Sequence, residues 1–149
     1  MTYHIPYRGM TPLEGSLKDA LQRAMTECVG DREEEGGVIV VNGENYEFIK
    51  LRNQHTGTAT AVALFDGDRQ EYGEKVISKF DAGYKNFASF HTHPTGCGAR
   101  PSHTDLTRLF TGFPVNFIWS PSLKELCRYD WEGVESDCTT WGARIINLI

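Results

Sequence analysis

Apolar residues recur at helical spacing near the start of the chain. Leu17, Ala20, Leu21, Ala24, Met25 and Cys28 form one stripe, which predicts an amphipathic helix packed on a sheet. Thr11-Pro12-Leu13-Glu14 reads as its beginning, with Thr11 as cap, Pro12 at the first helical position and Glu14 completing a capping box. Gly30 is a natural stop. The pattern then changes. Val38-Ile39-Val40-Val41 is continuously apolar, as expected of a strand buried on both faces. An Asn42-Gly43 turn separates it from a second β-rich run over 46–51, a strong hairpin signal.

Further along, 58–65 predicts a third strand, and Tyr72, Val76, Ile77 and Phe80 predict a second helix bounded by Gly83. Residues 86–91 are short, aromatic and bounded by turn residues, and predict a central strand. A third helix is expected over 102–110, with Leu106, Leu109 and Phe110 facing inward. Closing strands are expected over 115–120, 126–131 and 141–148. Helices and strands mix without strict alternation, so the fold class is α+β (mixed α/β): a central mixed sheet flanked by helices. Residues 1–10 carry no periodicity and are expected as an arm, leaving 11–149 as one domain. A length of 149 residues sits near the modal domain size.

Composition narrows the function classes. Hydrophobic residues make up 40% and charged residues 23% of the chain, which is ordinary globular usage. The net charge is −5 and no Lys/Arg-rich run occurs, so a nucleic-acid binder, which needs a basic patch, is disfavoured. No apolar stretch reaches the length of a membrane span and the N-terminus lacks a signal-peptide pattern. The expected setting is the cytoplasm, without membrane partners. Cys28, Cys97, Cys127 and Cys138 are scattered with no CxxC pair, which argues for free thiols rather than a zinc ribbon or redox dithiol. HExxH, GxGxxG and P-loop patterns are all missing from the sequence.

The chemistry concentrates between residues 91 and 105. In an extended chain residues i and i+2 share a face, so His91 and His93 present two imidazoles together. Pro94 ends the strand, a Gly-rich loop follows, and Pro101-Ser102 opens a helix whose first turn carries Asp105. Two histidines and a carboxylate leave a fourth tetrahedral position open, the pattern of a catalytic zinc site. Each piece alone has a bland reading: an HxH pair arises by chance in strands, Ser102 can be an N-cap, and Asp105 can complement a helix dipole. Their order is harder to produce by accident. His4 and His55 have no comparable setting.

HTHP, a short loop, then PSxxD resembles the JAMM (MPN+ or JAB) zinc metallopeptidases. The resemblance covers roughly residues 15–131, including the leading helix, a Glu-x-x-Gly strand start and an Asn shortly after the hairpin. The run SHTDLTRLFTGFPVNFIWSP looks especially like the JAB domain of phage tail-assembly proteins. The resemblance implies one Zn2+ per chain, held by His91, His93 and Asp105. Glu34, three residues before Gly37, would serve as general base and acid. Glu33 and Glu35 flank it in the same run and stand as alternatives. Ser102 would help to stabilise an oxyanion. One departure stands out: Asp105 follows His93 by one residue more than the family pattern has. His103 is the alternative nitrogen ligand if that longer loop shifts the site, and Cys97 in the loop could fill the open position.

The implied activity is hydrolysis of a peptide or isopeptide bond by water activated at zinc. Its substrate would be a phage or prophage tail-assembly protein or the tail of a ubiquitin-like protein. Such a tail would add as a strand at a sheet edge, for which 115–120 is a candidate. A bacterial deconjugating peptidase for a ubiquitin-like modifier is the second enzyme reading. A metal-free scaffold of the same fold is the non-enzyme alternative.

Overall fold

In the computed structural model, the residues described are 15–29, 34–53, 68–93, 96, 98, 99, 113–129 and 134–136. The expectations for 1–10, 11–14, 58–65, 102–110 and 141–148 lie outside them, as do Cys97, Cys138, Ser102, His103 and Asp105.

The predicted first helix is α1, Gly15–Glu27. Its stripe does what the spacing implies: Ala20, Leu21, Ala24 and Cys28 are buried, with Leu17 and Met25 packed beside them. Ser16 ties the start of α1 to the sheet, its Oγ accepting from Tyr46 N at 2.7 Å. The hairpin is also present, as β1 (Gly36–Asn42) and β2 (Asn45–Leu51). Asn42 pairs with Asn45 around a two-residue turn, and Gly43 takes φ +62° there, a conformation that glycine adopts without steric cost.

Four more strands complete the described sheet: β3 (Lys85–Thr92), β4 (Val115–Ser120), β5 (Glu125–Tyr129) and β6 (Val134–Ser136). Their order is β2-β1-β3-β4-β5-β6. The β3–β4 pair is parallel and the others antiparallel, so the sheet is mixed, as expected. β3 is central, and β1 is buried along its length up to Asn42. Two differences from the sequence reading concern the later strands. β4 lies between β3 and β5, so its backbone is paired on both sides and 115–120 is no edge for strand addition. β6 was not predicted; at three residues it is too short to show a period.

The predicted second helix is present as a helical run over 69–81. Asp68 caps it by accepting from Gln70 N and Glu71 N, and the stretch Tyr72–Ile77 is a π-helix. Val76 is buried and Tyr72 packs beside it, but Ile77 and Phe80 are exposed. The i→i+5 bonding of a π segment breaks the 3.6-residue period on which the predicted stripe depended.

Each face of the sheet has its own apolar cluster. On the α1 face, Ile39, Phe48, Ala88, Phe90, Val115, Phe117 and Leu126 meet the helix. On the other face, Val38, Val40 and Leu51 meet Val76. Among the described residues no helix is long and apolar enough to cross a membrane. Cys28 and Cys127 are buried, and burial pushes the Cys28 thiol up to about 12.

Candidate metal centre

Strand alternation divides β3 between the two faces. Ala88 and Phe90 enter the α1 core, so Ser89 and His91 point the opposite way, and His93 follows at the next even step. Across the ladder, Gly36 of β1 pairs with His91. Continuing that antiparallel register places Glu35 beside Thr92 and Glu34 beside His93. The hydrogen bonds confirm it: Thr92 N donates to Glu35 O at 2.8 Å, and Glu35 N donates to Thr92 Oγ1 at 2.9 Å.

The outcome is a buried group of three. Glu34, His91 and His93 each offer one ligand atom, and those atoms lie within 4.8 Å of one another. His91 Nε2 is 3.9 Å from Glu34 Oε1, and the two imidazole centroids are 5.4 Å apart. Donor atoms around one tetrahedral zinc stand about 3.4 Å apart, so small side-chain adjustments would let both imidazoles reach one ion, with the Glu34 carboxylate beside it as a further ligand or as a base for water bound there. Their chemistry also fits: two imidazoles and a carboxylate suit zinc and similar divalent transition metals.

Several local features hold this geometry. A Cβ at Gly36 would lie 2.1 Å from Phe90 O and 2.9 Å from His91 Cα, so only glycine allows β1 this close to β3. His93 is fixed by its backbone, whose N donates to Trp119 O at 2.9 Å, and by its ring, where Nδ1 lies 2.7 Å from Gly98 O. A carbonyl only accepts, so Nδ1 carries a proton and Nε2 is left as the ligand atom of the neutral ring.

The three-Glu run is sorted by the same alternation. Glu35 points away from the histidines, its carboxylate accepting from Lys50 Nζ at 2.7 Å and from Val29 N at 3.0 Å. Lys50 also donates to Glu27 O at 2.9 Å, at the end of α1. Its hydrogen bond to Glu35 is the main reason the Lys50 pKa is raised. Glu34 is thus the member of the pair Glu34/Glu35 that faces the histidines; Glu33 lies outside the described residues. So do Ser102, Asp105 and the alternatives His103 and Cys97.

Sequence reasoning assigned no role to two residues that shape the site. Asn53 is buried, and its Nδ2 donates to Glu34 O at 2.8 Å. Thr92 is fully buried and grips Glu35 from the far side of β3. The alternation of His-Thr-His already marked Thr92 as facing away from the imidazoles. Nothing local signals the Asn53 bond, which joins residues 19 apart.

No protein-family model and no curated protein matches the chain. Solved structures do. The solution structure of protein DSY2949 from Desulfitobacterium hafniense aligns with 80% of this chain and 86% of its own at 20% identity, with a TM-score of 0.58. That likeness is one of fold. The crystal structure of AF2198, a JAB1/MPN domain protein from Archaeoglobus fulgidus, aligns at 20% identity over 80% of this chain and 87% of its own, with a TM-score of 0.45.

Proposed function

We propose that this chain is a zinc-dependent peptidase or isopeptidase of the JAMM kind. The observation that carries the reading is the convergence of Glu34 with His91 and His93 in one buried group. Residues 57 apart in sequence meet there, and their types match the motif that the sequence resembles.

In this reading His91 and His93 would hold the metal through their imidazoles, with Asp105 completing the set. Bound zinc would supply Lewis acidity, lowering the pKa of water at the open position toward about 7 and polarising a carbonyl. Glu34 would take a proton from water and pass it to the leaving amine as general base and then acid. Its burial beside His91 keeps that carboxylate close and away from competing solvent. Asn53 fixes the Glu34 backbone so that the side chain has one approach. Ser102 donates to the developing oxyanion. The substrate is a protein or peptide, either a phage structural protein or the C-terminal tail of a ubiquitin-like protein, met in the cytoplasm.

Zinc content separates this reading from a metal-free scaffold. Wild type should carry about one zinc per chain by elemental analysis, and a His91→Ala/His93→Ala protein purified in parallel should carry none. Glu34→Gln should keep the zinc and lose cleavage of ubiquitin-like conjugates or tail-protein precursors. A wild type that never retains zinc would sink the proposal.

A further inference from the structure

We infer that Glu125 is a positioning residue for His93, acting through the single peptide unit that joins Gly98 to Ala99. The carbonyl of that unit accepts from His93 Nδ1 at 2.7 Å. Its N–H donates to Glu125 Oε2 at 3.3 Å. Both groups belong to one planar amide, and in a trans peptide they point in opposite directions. A carboxylate on the N–H draws the amide's electrons toward its oxygen, and hydrogen bonds arranged in such a chain strengthen one another. The order is therefore carboxylate, peptide N–H, peptide C=O, imidazole Nδ1–H. The last link sets which nitrogen of His93 is protonated.

The surroundings are built for this contact. A Cβ on Gly98 would lie 3.1 Å from Glu125 Oε2, so a side chain there would crowd the carboxylate. Ala99 is fully buried, which anchors the amide. Glu125 opens β5 directly after Lys124, whose φ of 54° is an uncommon left-handed turn conformation for a residue with a side chain. The same turn holds the loop at a second point, where Gly96 N donates to Ser122 Oγ at 3.0 Å. That second tether touches neither His93 nor the 98–99 amide, so it serves as an internal control.

Outer partners of a metal-binding histidine fix its tautomer and commonly change metal affinity by about 10–100-fold when removed. The inference rests on the zinc reading for its consequence, but the tautomer of His93 can be read without metal. Three variants separate charge from tethering. Glu125→Gln keeps an acceptor for Ala99 N–H and removes the charge, Glu125→Ala removes both, and Ser122→Ala cuts only the other tether. The first measurement is the pair of His93 ring nitrogen shifts in metal-free protein, by long-range proton–nitrogen correlation. The second is zinc affinity by competition with a chromogenic chelator.

Wild type and Ser122→Ala should show His93 protonated at Nδ1 alone. Glu125→Ala should show a mixture of tautomers and zinc affinity weaker by about 10–100-fold, with Glu125→Gln between. Unchanged nitrogen shifts and zinc affinity in both Glu125 variants would overturn the inference while leaving the zinc site standing. A wild type without zinc, in which Glu125→Ala still redistributes the His93 tautomers, would instead overturn the metal reading and support the relay. Equal loss in Ser122→Ala and Glu125→Ala would assign the effect to loop tethering and defeat the proposal.

Discussion

Phe90 and His91 are adjacent, both buried, and face opposite ways, and the two sides of the sheet they enter are organised differently. The α1 side is an apolar interior in which Phe90 meets Phe48 edge-on, centroids 5.5 Å apart. The other side carries the apolar Val38, Val40, Leu51 and Val76, and toward its end Glu34, His91 and His93 are withdrawn from solvent as well. Burying carboxylate and imidazole costs free energy unless partners compensate. One side of the sheet therefore stabilises the fold, and the end of the other side holds groups that stability alone does not require. Burial is a poor guide to core membership here; the partner of each buried group is the better one.

The contrast is open to direct test. Phe90→Ala should have the largest effect on stability, lowering the unfolding free energy in urea by about 3–5 kcal/mol, while the protein that remains folded still binds zinc. Loss of the metal at equal folded fraction would mean that the two sides are not separable.

Alkaline pH should come next, acting on the α1 side. Burial raises the Cys28 thiol from 9.0 to about 12 in the folded state. The unfolded chain therefore loses this proton first, and the stabilisation is complete below pH 9 and lost as pH rises toward about 12. Lys50, also raised by its bond to Glu35, acts with the same sign above its ordinary value of 10.5. Unfolding curves taken across pH 8–12 should flatten in Cys28→Ala and flatten further on Lys50→Met substitution, leaving a contribution from Tyr84, whose pKa is raised by its hydrogen bond to Glu47. A wild-type slope retained in Cys28→Ala would assign the effect elsewhere.

Asn53→Ala should cost about 1–3 kcal/mol, because it leaves the Glu34 carbonyl without its buried donor. Asn53→Asp, which removes the N–H and adds a charge beside Glu34, should be worse. The smallest change in stability belongs to Glu34→Gln, within about 0.5–1 kcal/mol by thermal melting, yet it should abolish hydrolysis. Glu35→Gln should do the reverse, loosening the Lys50 contact while sparing activity. If Glu35→Gln rather than Glu34→Gln removed activity, the division of labour between these neighbours would be reversed.

Much of the frame was legible beforehand. The α1 stripe, the hairpin about Gly43 and the buried run from Val38 to Val41 depend on local periodicity and turn chemistry, which a sequence displays directly. The pairing of His91 with His93 was legible for the same reason, since i and i+2 share a face. Less accessible were features set by neighbours distant in sequence. The interior position of β4 follows from how strands were ordered, and three residues of β6 are too few to carry a signal. The exposure of Ile77 and Phe80 reflects a π segment that composition does not announce.

The sequence by itself determined which residues are chemically equipped for the site: two histidines two apart, a run of glutamates before Gly36-Gly37, and an ordering that resembles one peptidase family. It did so because residue type and spacing are local properties. Only the tertiary structure decided that Glu34 faces the histidines while Glu35 turns to Lys50, that Asn53 holds the Glu34 backbone, and that Glu125 reaches the Gly98–Ala99 amide. Each of those depends on the register of one strand against another, and a slip of one residue would send every side chain to the opposite face.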